Sequence, residues 1–331
     1  MGNFYRDNDD LQFYVDKGID WEPIVRLTEN DFAYEDGFDS SEDAVDFYKS
    51  VMEMVGKFIA DEIDPHVLEI DKAGLELVDG EVEFPDKLDE IFEKIKPLEL
   101  HGLCTPRELG GMNCPIILYM LKTEMIARAD VSISAHHGFH GGMAMALLGY
   151  SVDEGTTEFD PETGRIESTR FEEEISEMIS GEAWGSMDIT EPNAGSDMAS
   201  LRTRAEQDEE GDWHLTGQKI FITSGHAKYH VVIARTEESD EEGMGAGLEG
   251  LSTFLVQTYE EDEQGNRVRR ATIDRLEEKM GHHASATCAI SFDETPAELI
   301  GERGEGFRHG PAGRLRQRDG TQNSSGSRTG F

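Results

Sequence analysis

The apolar residues of this chain change their spacing once, and that change fixes what the chain can fold into. From Ser40 onward Ala44, Phe47, Tyr48, Val51, Met52, Val55, Phe58 and Ile59 return at three- and four-residue steps, the stripe of an amphipathic helix whose start Ser40 and Asp43 can cap. Leu88, Ile91, Phe92 and Ile95 repeat the pattern between about Pro85 and Ile95, and two apolar helical segments follow at roughly 115–128 and 131–150. The reading over this region is helix throughout, with Pro65 as an interruption. After Trp184 the pattern turns to short β-branched runs: WHL (213–215), KIFIT (219–223), VVIART (231–236), LSTFLVQT (251–258) and ATCAISF (286–292), with Thr216-Gly217 read as a turn. The fold class is α+β multidomain, an N-terminal all-α helical domain followed by an antiparallel β-barrel-like domain.

Within that class the composition excludes several functions. Seventy acidic residues stand against 30 Lys and Arg, a formal charge of -40, so a phosphate-backbone partner has no basic face to bind. Such acidity reads as a solvating, self-repelling surface of the kind suited to high salt. The longest apolar run, PIILYML at 115–121, is far short of the ~20 residues of a membrane span. The amino terminus, MGNFYRDNDD, has neither the basic start nor the apolar stretch of a leader, which points to the cytoplasm. Cys104, Cys114 and Cys288 are odd in number and outside any CxxC pair, so they support neither a disulfide framework nor a thiolate metal site.

Two motifs are decoys. GAGLEG at 245–250 spells a dinucleotide loop, but an acidic stretch precedes it and a strand follows, so it reads as an inter-strand loop. His136, His137 and His140 fall within one helical turn, yet no carboxylate or thiolate stands at a matching step; they read as satisfied or exposed helix histidines, and no metal is expected. The informative pair is MDITEPNAGSD at 187–197 and GQKIFITSG at 217–225. The first is a short strand entering a loop of small residues, whose backbone amides can approach an anionic group such as a diphosphate. In the second, period-two alternation puts Phe221 and Thr223 on one sheet face, a seat for a flat heterocycle, and Ile220 and Ile222 on the other.

These two motifs resemble the acyl-CoA dehydrogenase family, in which a TEPxAGSD loop and a QK(aromatic)IT strand hold the flavin of FAD. The resemblance extends to KFIADEIDP (57–65), LHGLCTPRELGG (100–111), IARAD (126–130) and EKMGHHASATCAISFDE with IGERGEGF (278–307), some 250 residues in the family order. It implies that Met187, Ile189 and Thr190 meet the flavin ring edge, that Gly195 and Ser196 serve the diphosphate, with Ser196 also on the acyl-thioester side, and that Phe221, Ile222 and Thr223 flank the isoalloxazine. In the family the position of Phe221 is often Trp. The implied boundaries are an extension over 1–40, the helical domain over 41–180, the β middle domain over 181–300 and a tail over 301–331.

The resemblance also implies the chemistry: a glutamate takes a proton from the α-carbon of an acyl-CoA and hydride passes from the β-carbon to FAD, whose electrons go on to an electron-transfer flavoprotein. In the family that glutamate lies in a C-terminal four-helix domain. Here the sequence after GEGF turns to RHGPAGRLRQRDGTQNSSGSRTGF, which carries five Arg against one Asp and few apolar side chains, so the expectation is a disordered tail. The four-helix domain is expected to be absent and no catalytic residue is assigned. A truncated or frameshifted copy is expected, with a homo-oligomer only at full length. An oxidase that returns flavin electrons to oxygen, and a non-catalytic fragment acting through subunit association, are the alternative readings. Glu191 and Asp197 are the acids nearest the flavin loop, and the resemblance gives them the role of shaping it.

Overall fold

A computed structural model describes residues 2–237, 247–261 and 264–306. The amino-terminal stretch is helical: α1 (Asp9–Phe13), a π turn (Tyr14–Gly18) and α2 (Trp21–Thr28) lay Leu11, Val15, Trp21 and Val25 into the core, while Phe13 and Tyr14 stay exposed. A bidentate pair from Arg107 to the buried Glu29 (2.8 and 2.9 Å) fastens this stretch to the body. Helix α3 (Ser41–Phe58) starts where the sequence places it, with the Ser40 hydroxyl oxygen accepting the Asp43 amide at 3.1 Å. At its end the helix widens into a π turn (Ile59–Ile63) and tightens into a 3₁₀ turn through Pro65 before α4 (Val67–Ala73), so the proline redirects the helix without ending it. Helices α5 (Asp86–Ile95), α6 (Ile116–Ala129), α7 (Val131–Glu154) and α8 (Glu172–Ser180) complete the domain.

The region is not helix throughout. A hairpin of β1 (Glu76–Val78) and β2 (Glu81–Glu83) turns at Asp79-Gly80, both at positive φ, and a second joins β3 (Glu158–Phe159) to β4 (Ile166–Ser168).

The second domain is a five-strand barrel with two strands appended. Strands β5 (Gly185–Asp188), β6 (Arg204–Gln207), β7 (Trp213–Thr223), β8 (Tyr229–Arg235), β9 (Leu251–Gln257), β12 (Ala271–Leu276) and β13 (Thr287–Ile300) form one sheet, while β10 (Tyr259–Glu261) and β11 (Arg267–Arg269) pair apart. Because β9 pairs with both β8 and β13, the circuit β13, β7, β6, β8, β9 closes on itself, with β5 appended on β8 and β12 on β13. Most pairings are antiparallel as the pattern suggested, but β8 runs parallel to β5 and meets β6 in one parallel bridge. The long connections between these strands supply the crossover that parallel pairing needs.

Thr216-Gly217 is not a turn. It lies inside the continuous eleven-residue strand β7, opposite Phe292. Glycine is required there by close approach: a Cβ on Gly217 would stand 2.5 Å from the Thr203 hydroxyl oxygen. Of the GAGLEG segment, Gly245 and Ala246 lie outside the described residues, and Gly247–Gly250 is a single 3₁₀ turn leading into β9. Residues 301–306 return to the barrel through the Gly306 amide on the Leu251 carbonyl (2.8 Å); the tail expected to be disordered lies outside the described residues. No helix among the described residues is long and apolar enough to cross a membrane.

Between the two domains lies a buried set of imidazoles: none of the three helix histidines is exposed, and the reading of satisfied rings holds for His136, whose two ring nitrogens both have partners, but not for His137 and His140. His101, His136, His137 and His140 are all buried, His136 and His140 ring against Trp184 and His101 ring against His137 and His140, and the Nδ1 atoms of His101, His137 and His140 have no hydrogen-bond partner. The buried Lys122 ammonium stands 2.9 Å from His137 Nε2, and burial brings it down to about 7. Burial also pushes His101 down to about 3 and His136 to about 4, and holds His137 and His140 well below the ordinary imidazole range. The folded state therefore keeps these rings neutral where the unfolded chain, titrating near 6.5, takes up protons. The rings' contribution to stability is fully present above that pH and falls as pH drops below it, while the lowered Lys122 loses its own contribution at higher pH, on the way down to about 7. Each ring is expected to cost about 1 kcal/mol between pH 7 and 5.5, a window above the carboxylate range. Urea midpoints at the two pH values measure the effect; His140→Phe should flatten the dependence, and a midpoint indifferent to pH would contradict it.

Candidate cofactor site

The site grows from strand β5 and the loop that follows it. After Asp188 the chain passes Ile189 and Thr190 and folds tightly, with the Glu191 amide on the Ala194 carbonyl (2.9 Å) and the Ala194 amide on the Glu191 carbonyl (3.1 Å). Proline and asparagine at the corner suit such a turn. Glu191 points inward. Its Oε2 accepts the Arg202 amide at 2.6 Å and its Oε1 the Thr203 amide at 2.9 Å, and Lys219 Nζ donates to Oε1 at 2.8 Å. The fully buried Lys219 ammonium also donates to the carbonyls of Ile189 (3.0 Å) and Ile233 (2.7 Å), so each of its three protons has an acceptor.

Burial raises the Glu191 carboxyl, but Lys219 and the two amides more than offset that, holding it below its usual range. Burial lowers Lys219, with Glu191 opposing. This pair ties the loop to β7, to β8 and to the entry of β6. Asp197 is exposed and accepts the Ser200 hydroxyl at 2.6 Å.

Beside the Lys219 contacts, a backbone hydrogen bond from the Ile220 amide to the Thr190 carbonyl (2.8 Å) joins the two motifs. At that point β7 carries a bulge: Ile222 pairs with Cys288 but Lys219 pairs with Ile290, leaving Ile220 and Phe221 opposite Ala289 alone. Phe221 takes up the extra residue at φ +60°, a conformation a bulky side chain adopts at a cost of about 1–3 kcal/mol. The bulge turns its ring outward, 60% exposed.

Met187, Ile189, Thr190 and Thr223 are half-buried, Met187 packing on the cluster of Met143 and Tyr229 and Ile189 on that of Ala194 and Leu201, and Gly195 and Ser196 are exposed beyond the turn. Ile222 points the other way, into the barrel core with Val232 and Ile290, so only its backbone faces the site. Behind Thr223 the strand meets the helical domain, where Ser224 Oγ lies 3.4 Å from His136 Nδ1 and His136 Nε2 lies 3.0 Å from the Ala286 amide. An exposed aromatic plane, a neighbouring hydroxyl and an open loop of small residues fit a planar heterocycle with an anionic tail. Sequence reasoning missed the Lys219 brace, the bulge and the His136 link.

Comparison with known proteins agrees with this geometry. Residues 47–164 match the family model of the acyl-CoA dehydrogenase N-terminal domain and residues 186–295 that of the middle domain. The chain belongs to the acyl-CoA dehydrogenase family. Among curated relatives, the 3-methylmercaptopropionyl-CoA dehydrogenase of Ruegeria pomeroyi is 30% identical over 276 residues, covering 81% of this chain and 44% of that protein. The mitochondrial isovaleryl-CoA dehydrogenase of Arabidopsis thaliana is 29% identical over 258 residues, covering 77% and 54%. The chain thus spans about half the length of the curated relatives it matches. In fold it resembles butyryl-CoA dehydrogenase from Megasphaera elsdenii (TM-score 0.60, 24% identity, 80% of this chain and 61% of that one). It also resembles an acyl-CoA dehydrogenase from Bacillus anthracis solved in complex with FAD (TM-score 0.59, 22% identity, 80% and 40%).

The brace predicts an asymmetric response to mutation. Lys219→Met leaves a buried carboxylate without its countercharge and should cost about 3–5 kcal/mol. Glu191→Gln also leaves the fully buried Lys219 ammonium without its countercharge but keeps the size and one oxygen acceptor, and should cost less, about 3 kcal/mol at the low end of that range. Urea unfolding with unchanged slope measures both, and equal small losses would contradict the role given to the pair.

Proposed function

We propose that this chain provides the helical and β-domain part of an FAD-dependent acyl-CoA dehydrogenase, acting on an acyl-CoA thioester and passing electrons to an electron-transfer flavoprotein. The observation that carries the proposal is the outward Phe221 ring on its strained bulge, beside Thr223 and across from the Thr190 loop. Met187, Ile189 and Thr190 would meet the flavin ring edge, Phe221 and Thr223 its face, and the backbone amides at Gly195 and Ser196 its diphosphate. Ser196 would also border the thioester. FAD, when bound, supplies the acceptor for the hydride that leaves the β-carbon.

The protein's own part is to present a rigid apolar wall and hydrogen-bonding groups at fixed positions, since misplacement of a reacting group by about 1 Å can cost a hundredfold in rate. Proton removal from the α-carbon needs a desolvated carboxylate within hydrogen-bond reach. Glu191 has both oxygens committed to the brace, and Asp197 is in water and holds Ser200. We assign the base to neither. It belongs, on this reading, to the half of the relatives' length that this chain does not span.

Dye reduction with acyl-CoA thioesters of several lengths and excess FAD tests the reading. The chain alone should not turn over, and should do so once joined in frame to the helical part that completes its relatives. Turnover by the chain alone that Glu191→Gln or Asp197→Asn abolishes would place the base in the loop and overturn the assignment. Phe221→Ala should raise the FAD dissociation constant about three- to tenfold, the worth of one stacked ring.

A further inference from the structure

Behind the flavin loop the barrel holds a hydrogen-bonded set outside the cofactor-facing residues. Ser186 and Asp188 stand two apart on β5, so they share the face opposite Met187, and both are fully buried. His230, also fully buried, is the parallel-ladder partner of Ser186 on β8. Its Nδ1 lies 2.8 Å from Ser186 Oγ and 3.0 Å from Asp188 Oδ2, and its Nε2 lies 2.8 Å from the hydroxyl of Thr258, the residue after β9. Thr258 donates to the Ala227 carbonyl, and Ser186 donates to Asp188 Oδ1 at 2.7 Å.

The protons can be counted. Thr258 has one hydroxyl proton and gives it to Ala227, so it can only accept from Nε2, which must carry a proton. Ser186 likewise spends its one proton on Asp188, which leaves Nδ1 facing two acceptors, Ser186 Oγ and Asp188 Oδ2. If Ser186 donated to Nδ1 instead, the contacts from Asp188 to Ser186 and to Nδ1 would both set acceptor against acceptor. If Asp188 carried the proton and Nδ1 were bare, two protons would serve three contacts, and either that between Ser186 and Nδ1 or that between Asp188 Oδ2 and Nδ1 would set acceptor against acceptor. One arrangement satisfies every contact: both ring nitrogens protonated beside an ionised Asp188.

We infer that Ser186, Asp188, His230 and Thr258 form a positioning clamp, with His230 as an imidazolium, that holds β5 against β8 and β9 and so sets where Met187, Ile189 and Thr190 stand. The clamp reaches across three strands by side chains, whereas the backbone ladder joins β5 to β8 alone. Its value to the site rests on the reading of this loop as the flavin seat.

The test uses the chain both without and with FAD. At pH 7, nitrogen-detected NMR should find protons on both ring nitrogens of His230; one bare nitrogen would overturn the imidazolium assignment. Asp188→Ala/His230→Leu replaces both charged groups by apolar ones, a change that tends to preserve stability while removing the clamp. Without flavin, amide exchange at residues 187–190 should then quicken at least tenfold while β7 and β13 keep their protection. Ser186→Ala, which removes one arm and keeps the pair, should give a smaller increase. Exchange at the wild-type rate in both variants would show that the set only fills space. With flavin, the double variant should raise the FAD dissociation constant at least tenfold. A wild-type chain that binds no FAD would sink the proposed function, while the flavin-free exchange rates would still decide the clamp.

Discussion

A buried lysine that has spent all three of its protons leaves its neighbours no freedom. Lys219 takes acceptors from the end of β5, from the Glu191 turn and from β8, and Glu191 passes the constraint on to the amides of Arg202 and Thr203 at the entry to β6. Losing any of these acceptors would strand a charge in the interior, a far larger penalty than a surface ion pair could incur. The loop between β5 and β6 is therefore rigid for a reason that lies beneath it. Its exposed part is free to be made of small residues because it need not hold itself in place.

The same brace explains how a strained aromatic can persist. Phe221 follows Lys219 by two residues, and the bulge between them is clamped at one end by the ammonium and at the other by Ile222 in the barrel core. Backbone strain survives only where surrounding structure over-determines it. Here it turns a ring that strict alternation would leave to the sheet's own geometry into one that stands out from the surface. The clamp of Asp188 and His230 acts on the other motif from within β5 itself, so both halves of the site are held by buried charge.

Much of this was legible and some was not, for physical reasons. Helix α3 announced itself through Ser40 and a sustained apolar stripe, and α5 through four residues on one face, because helical periodicity is a property of neighbours in sequence. The flavin motifs were legible as residues. Their mechanics were not: a lysine between glutamine and isoleucine reads as a solvent-facing strand residue, and only the barrel's closure buries it. The turn at Asp79-Gly80 carried a recognisable hairpin signal that the surrounding helices masked. Gly217 suggested a turn because the approach of Thr203 that demands glycine comes from a separate strand entry. His136, His137 and His140 offered no sign of burial, since what covers them is Trp184 and the barrel edge, distant in sequence from their helix.

The geometry of these two motifs thus depends on interior charge that a net charge of -40 conceals, since the surface acids are solvated while the few buried ionic groups hold the loop and strand in place. The most direct measurement of that account is a map of backbone amide shifts as FAD is titrated into the purified chain. Saturable shifts confined to residues 187–197 and 217–225, with one FAD per chain, are the predicted result. Shifts centred elsewhere on the barrel or on the helical domain, with these two segments unmoved, would contradict it.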